Sequence, residues 1–343
     1  MFDDDFDLDK LGDEETLRKA WQRPLQELFD ELFAAEETPI SIASLYRFSD
    51  MPEEYVAQFS QRWPTLAAER RPIIVRHLAD ITEENYQVDF SAISKIFLQD
   101  PLAAVRVAAL DALWDSSDRT LIQPIIQLMQ QDKDEAVRAQ AAATLGHYIL
   151  MAEWKQLPPH TAKPIVAALL EQLSRPDLPL PIWGAALESF AGSGHARVNE
   201  FIQRAYEDGD EQLQISAVFA MGRTADKRWL ITLQDELNNP DPAMRTQAAT
   251  AVGLLGSSDP LEQLIELAYE DDDLEVRIAA VAALGQIGGE MATHALNKLA
   301  EDPDSEELYE TITEALDEMM WLGGEIDFSL IDLDDTDDDE ELP

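Results

Sequence analysis

Five histidines, His77, His147, His160, His195 and His294, carry the ring nitrogens that general-base or metal chemistry near neutral pH would use. A di-iron centre built from repeated His-Glu pairs needs a carboxylate directly after each ring, but here the following residues are Leu78, Tyr148, Thr161, Ala196 and Ala295. That chemistry is disfavoured. Ser193-Gly194-His195 brings a hydroxyl near an imidazole, yet no spacing sets a base against a nucleophile with a third group to orient it. The absence of cysteine removes thiolate catalysis, disulfides and cysteine-type zinc sites. Adjacent carboxylates such as Glu306-Glu307 diverge on a helix and form no acid–base dyad. The acidic run Tyr206-Glu207-Asp208-Gly209-Asp210-Glu211 has the look of a metal loop until it is aligned with Tyr269-Glu270-Asp271-Asp272-Asp273-Leu274. Both then become one kind of turn between helices, in which the acids cap the next helix. Asp337-Asp338-Asp339 lacks the glycine and terminal glutamate of a twelve-residue calcium loop. No catalytic, metal or cofactor-binding set is expected.

What positions these residues is a repeat. Val276-Arg277-Ile278-Ala279-Ala280-Val281-Ala282-Ala283-Leu284-Gly285 restates the phrase at Val137 to Gly146, and Met244 to Gly253 carries it again. First positions fall at Val105, Val137, Trp183, Leu213, Met244, Val276 and Leu308, a period of 30 to 32 residues with one step of 46. The long step fits an insertion over 148–161, which contains Trp154 and Pro158-Pro159. A degenerate copy begins at Arg70-Arg71-Pro72. Within each unit, apolar or small residues at relative positions 0, 3, 4, 7 and 8 mark one helical face, and a second amphipathic helix precedes it, as in Pro260 to Ile265. Asp-rich, proline-containing turns separate the units. No alternating run suggests a sheet. The expected fold is all-α, a right-handed α-α superhelix of about eight helical-hairpin units.

The Asp turn followed by Val-Arg-x-x-Ala-Ala-x-Ala-Leu-Gly, seen at Asp132 to Gly146 and Asp271 to Gly285, resembles the short HEAT-like repeat of phycobilin-lyase-type proteins. The resemblance runs over roughly residues 65–322. It implies a ladder in which the arginine of the phrase bonds the turn aspartate of a neighbouring layer, here involving Arg106, Arg138, Arg245 and Arg277. Gly184, Gln214 and Tyr309 depart from it. It also implies that the second helices line a concave side. HEAT repeats serve scaffolds, adaptors, nucleic-acid enzymes and cofactor-attaching enzymes alike, so the site must decide between them.

Charge narrows the choice. The net charge is −44, with eight acids against Lys10 in residues 1–15 and ten acids against no base in residues 325–343. Such a surface repels nucleic-acid backbones and anionic membranes and attracts a basic protein with strong salt dependence. DNA, RNA and lipid are therefore disfavoured as partners. No apolar stretch approaches 18 residues, and Met1-Phe2-Asp3-Asp4-Asp5 is acidic where a secretory leader is basic, so a cytoplasmic location is expected.

The expected organisation is an acidic disordered leader at 1–13, an N-terminal helical cap at 14–64, the repeat solenoid at 65–322 and an acidic disordered tail at 323–343. In the cap, Leu17, Trp21, Leu25, Leu28, Phe29, Leu32 and Phe33 follow helical spacing over about 14 to 35. On the second helices, positions 2 and 6 form a stripe beside the core: Ile215 and Phe219, Thr246 and Thr250, Ile278 and Ala282, then Glu310 and Glu314. With Trp154 in the insertion, these are the candidate partner-binding residues, a peptide or helix groove rimmed by carboxylates. The leading function is a non-catalytic scaffold or adaptor, in one form an acidic chaperone for a basic protein. The alternative is a phycobilin-lyase-like protein that binds or transfers a tetrapyrrole chromophore to a client protein.

Overall fold

The computed structural model describes residues 23–33, 42–85 and 87–323. The acidic leader, residues 14–22 of the expected N-terminal helix and the tail from residue 324 lie outside them. All regular structure among the described residues is helical. Helices α1 (Leu25–Leu32) and α2 (Ile42–Leu45) are followed by eight successions of a first and a second helix. The first four are α3 (Glu53–Arg62) and α4 (Arg70–Glu84), α5 (Ser91–Phe97) and α6 (Ala103–Asp111), α7 (Ile122–Gln131) and α8 (Glu135–Glu153), and α9 (Ala162–Leu173) and α10 (Leu180–Ala191). The others are α11 (Val198–Asp208) and α12 (Glu211–Arg223), α13 (Leu230–Glu236) and α14 (Pro242–Leu255), α15 (Leu261–Glu270) and α16 (Leu274–Ile287), and α17 (Glu290–Ala300) and α18 (Tyr309–Gly323). The all-α repeat fold read from the periodicity is the fold observed.

Contacts divide the chain into two compact units, with the boundary after Ala220 inside α12. In the first unit α4, α6, α8 and α10 pack in succession, and in the second α14, α16 and α18 do so. The repeated phrase explains how closely. A Cβ placed on Gly253 would stand 2.9 Å from Ala283 Cα, and one on Gly285 would stand 2.9 Å from Ala315 Cα. Glycine at the ninth position after the phrase start thus lets neighbouring second helices meet backbone to backbone. The buried face is the expected one: Val276, Ala279, Ala280, Ala283 and Leu284 are all in the core.

The acidic turns act as caps. Asp134 Oδ1 accepts from the backbone N–H groups of Ala136 and Val137, Asp241 from that of Ala243, and Asp273 from those of Glu275 and Val276. Asp210, in the run with the look of a metal loop, accepts from Leu213 N at 3.0 Å. Left-handed Gly256 (φ +64°) closes α14.

The extra residues of the long step extend a helix. α8 is 19 residues long against 14 in α14 and in α16, and a short 3₁₀ turn at Pro159–Thr161 follows it. Tyr148, fully buried in this extension, donates its hydroxyl to Asp118 O at 3.2 Å. Burial pushes its pKa up to about 12.

At the N-terminal end, the helix expected over about 14 to 35 is seen among the described residues as α1, which starts after Pro24, where ψ is an extended 135°. Leu28, Phe29 and Leu32 are buried, as expected from their spacing. Phe59 of α3 is fully buried and meets Phe29, Phe33, Phe48 and Phe97 at ring-centre distances of 5.5 to 6.2 Å, and stacks on Trp63 at 5.4 Å.

Candidate protein-binding surface

The second helices present a stripe because of their phase. With positions 0, 3, 4, 7 and 8 turned to the core, positions 2 and 6 are left at its edge. In the second unit Thr246 and Thr250 on α14 and Ile278 and Ala282 on α16 are half-buried, whereas Glu310 and Glu314 on α18 are exposed. Thr246 donates its hydroxyl to Pro242 O and Thr250 donates to Thr246 O, both at 3.0 Å. With their hydroxyls turned to the helix backbone, the two threonines add methyl surface to the stripe. The stripe is apolar on two helices and anionic on the third.

Ile215 and Phe219, half-buried on α12, belong to the first unit, whereas Ile278 belongs to the second. The corresponding stripe in the first unit differs in chemistry. Asp111 of α6 accepts from Arg76 Nη1 of α4 at 2.6 Å and from Gln140 Nε2 of α8 at 2.7 Å. Position six of three neighbouring copies therefore carries Arg76, Asp111 and a small residue, Ala143, with the charges paired. Trp154 caps the end of α8 and is 64% exposed.

Each unit also carries a rung of the arginine ladder. Arg106 forks onto Asp132, with Nε and Nη2 bonds of 2.8 and 2.7 Å, and Arg245 forks onto Asp271 with two bonds of 2.8 Å. Burial raises the Asp132 carboxyl, but the Arg106 fork and the N–H of Asp134 outweigh it and hold the pKa below the ordinary value. Asp271 is balanced in the same way, by burial against Arg245 and the N–H of Asp273, and is also lowered. Arg245 is raised, chiefly by the same fork.

Two of the arginines implied by the resemblance make other bonds. Arg138 donates to Met129 O at 3.0 Å and to the amide oxygen of buried Gln172 at 3.3 Å. Arg277 donates to Ala268 O at 3.1 Å. Both reach a carbonyl near the end of the preceding first helix, where a cation meets the negative end of the helix dipole. Gln214 takes the same route at one hydrogen bond, donating to Tyr206 O. A further rung was not read from the sequence. Arg71, the second residue of the degenerate copy, donates to Asp100 at 2.7 Å, and Trp63 Nε1 donates to the same carboxylate oxygen at 2.7 Å. The phase of the copy was the available signal, since it puts Arg71 where Arg106 and Arg245 stand in theirs.

Among the described residues no group of three or more histidine and carboxylate side chains converges as a metal-ligand set. None of the described helices is long and apolar enough to cross a membrane.

The HEAT repeats family matches residues 91–178, 198–273 and 230–317, more than half of the chain. The chain belongs to the HEAT-repeat family. Among solved structures, this HEAT-repeat protein is similar to the complex of CpcE and CpcF of phycocyanin lyase from Nostoc, with a TM-score of 0.52 and 19% identity over 77% of this chain and 97% of that one. Human deoxyhypusine hydroxylase matches with a TM-score of 0.35 and 17% identity, over 78% of this chain and 97% of that one. Yeast importin-beta matches with a TM-score of 0.41 and 16% identity, over 92% of this chain and 45% of the importin. A comparison with curated proteins gave no match. At 19% identity the likeness to the CpcE–CpcF complex speaks to fold alone.

Proposed function

We propose that this HEAT-repeat protein is a non-catalytic scaffold or adaptor that binds a protein with a basic surface. The reading is carried by the second unit's stripe, where the methyl-lined faces of α14 and α16 adjoin the carboxylates of α18. Those carboxylates have little counter-charge along the chain. Lys298 is the last basic residue, and residues 299–343 hold 19 acids and no lysine, arginine or histidine. A partner that lays an apolar contact on Thr246, Thr250, Ile278 and Ala282 and sets lysine or arginine against Glu310 and Glu314 gains both terms at once. The finer form, an acidic chaperone that shields such a partner, follows the same chemistry. The apolar contact sets how long the complex lasts, while the charge speeds encounter and rejects nucleic acid and anionic lipid.

Affinity capture with the full chain at low and at high salt, read by mass spectrometry, tests the proposal. The expected result is recovery of proteins of high isoelectric point, lost at about 0.5 M salt where the screening length falls to a few ångströms, and lost also on Ile278→Asp. Recovery of the same proteins by Ile278→Asp would remove the stripe from the account. A visible absorption band from a co-purified tetrapyrrole would instead favour the chromophore-carrying alternative.

A further inference from the structure

The last described helix has one face that its neighbours in the second unit bury. In α14 the residues one, five and nine places after the phrase start turn toward the next layer, and in α16 those five and nine places after it do: Arg245 bonds Asp271 in the turn before α16, Ala249 and Val281 are fully buried, and Gly253 and Gly285 approach Ala283 and Ala315. At the same register α18 carries Tyr309, Thr313 and Asp317, flanked by Leu316 and Met320. Tyr309 and Met320 are each 64% exposed. No helix follows α18 among the described residues. Tyr309, Thr313, Leu316 and Met320 are spaced i, i+4, i+7 and i+11, which makes one straight apolar stripe about 16 Å long on a helix rising 1.5 Å per residue.

We propose that this face of α18 docks an amphipathic helix of a partner protein, with lysine or arginine beside its apolar seam. The spacing is that of a seam into which a second helix fits its own residues at three- and four-residue intervals. The apolar stripe supplies the contact, and the acids choose the occupant. Asp317 stands at the edge of the face, and Glu310 and Glu314 lie on the same side of it, all exposed. Asp317 holds the ninth position, where glycine lets α14 and α16 meet their neighbours backbone to backbone, so a further layer packed as closely as theirs, including one from a second copy, would press on a carboxylate. Residues 325–343 of this chain carry ten acids and no base, and so bring the same sign of charge to the face. A cationic helix satisfies both features. The inference rests on the partner being basic, as in the proposed function, and shares its Glu310 and Glu314, but sets the apolar contact on a different surface from the Thr246 to Ala282 stripe.

The test uses the full chain and a fluorescent 18-residue synthetic helix with a leucine seam flanked by lysines, followed by anisotropy, with its glutamate-flanked counterpart as control. Expected is binding of the lysine peptide that weakens at high salt, is at least about tenfold tighter than that of the glutamate peptide, and falls at least about tenfold in Tyr309→Glu and in Met320→Glu. Both substituted side chains are mostly exposed, so circular dichroism and thermal midpoint should match wild type. Asp317→Lys, which keeps the apolar stripe, should weaken the lysine peptide and admit the glutamate one. Equal binding of the two peptides, or none, overturns the proposal. Wild-type affinity in Tyr309→Glu and Met320→Glu with loss in Ile278→Asp also overturns it, while leaving the proposed function standing. Displacement of the probe by a peptide of residues 325–343 would make the chain's own tail the occupant. A dimer dissolved by Met320→Glu would make it a second copy.

Discussion

At the N-terminal end of this protein Phe59 has no exposed surface and is enclosed by five aromatic rings, while Trp63 beside it ties the cap to the first ladder rung through Asp100. At the C-terminal hairpin Tyr309 and Met320 are mostly exposed and an aspartate holds the glycine position. A repeat array must end twice, because each unit buries its apolar face only against a neighbour. The first and last described hairpins differ in this respect: one is covered with apolar side chains, and the other presents Asp317 where α14 and α16 carry glycine. Coverage contributes stability. Charge contributes little of it, and Tyr309 and Met320 stay mostly exposed.

The sharpest way to break this contrast is to delete side chains at each end. Phe59→Ala should cost about 3–5 kcal/mol, since it leaves a cavity in a rigid aromatic cluster, whereas Met320→Ala should stay within about 0.5 kcal/mol as an exposed substitution. Urea denaturation of the two variants reads both. Similar losses would mean that the C-terminal face is covered in solution. Between the ends, close approach sets the next effect. Gly253→Leu should cost about 3 kcal/mol or more by forcing α14 away from Ala283 of α16, but Asp317→Leu, at the same register in α18, should be tolerated. Thermal unfolding of the pair separates a packing requirement from a feature of glycine itself.

These contrasts show what the sequence makes legible. The phase of the Val-Arg phrase locates the second helices, the acidic turns locate their caps, and positions 2 and 6 at the edge of the core follow from the same phase, because all three depend on residues within a turn or two of each other. Long-range partners depend on geometry that the period does not carry. Extension of α8 to Glu153 accompanies a change in Arg138's partner from a turn aspartate to Gln172, 34 residues away. The pairing of Arg76 with Asp111 joins a degenerate copy to a regular one. The division after Ala220 falls inside a copy of the phrase, where composition does not change.

The ladder gives a smaller, pH-dependent effect. Arg245→Met should cost about 2 kcal/mol near neutrality, in the range of a hydrogen-bonded charge pair largely removed from water. The sign with pH follows from Asp271, whose folded pKa lies below its unfolded value. The stability it contributes is full above about pH 5 and is lost as pH falls below about 4 and through the folded pKa. The difference between wild type and Arg245→Met should therefore shrink on acidification, as followed by urea midpoints from neutral to acid pH. A constant difference would show that packing of the arginine stem, not its charge, holds the rung.

The smallest effect bears most directly on why the C-terminal end is built as it is. Glu310, Glu314 and Glu318 follow one another at four-residue intervals on α18, and the last turn of that helix carries no base to offset the negative end of its dipole. Like charges at this spacing destabilise an exposed helix by about 0.2–0.5 kcal/mol per pair. Glu314→Lys converts two such repulsions into attractions and should raise stability by about 1 kcal/mol at low salt, an increment that fades as salt screens it. The same change should weaken binding of the lysine-flanked helix, because it puts a cation on the edge of the face that selects for cations. Urea midpoints at low and high salt, measured beside peptide anisotropy, check both halves. A gain in stability with a loss of binding would mean that the carboxylates of α18 are kept for a partner against the interest of the fold, the reverse of Phe59, whose burial serves the fold alone. If Glu314→Lys instead bound the lysine peptide as tightly as wild type, the acids would be a solubility feature, and the two ends would differ only in how much apolar surface each covers.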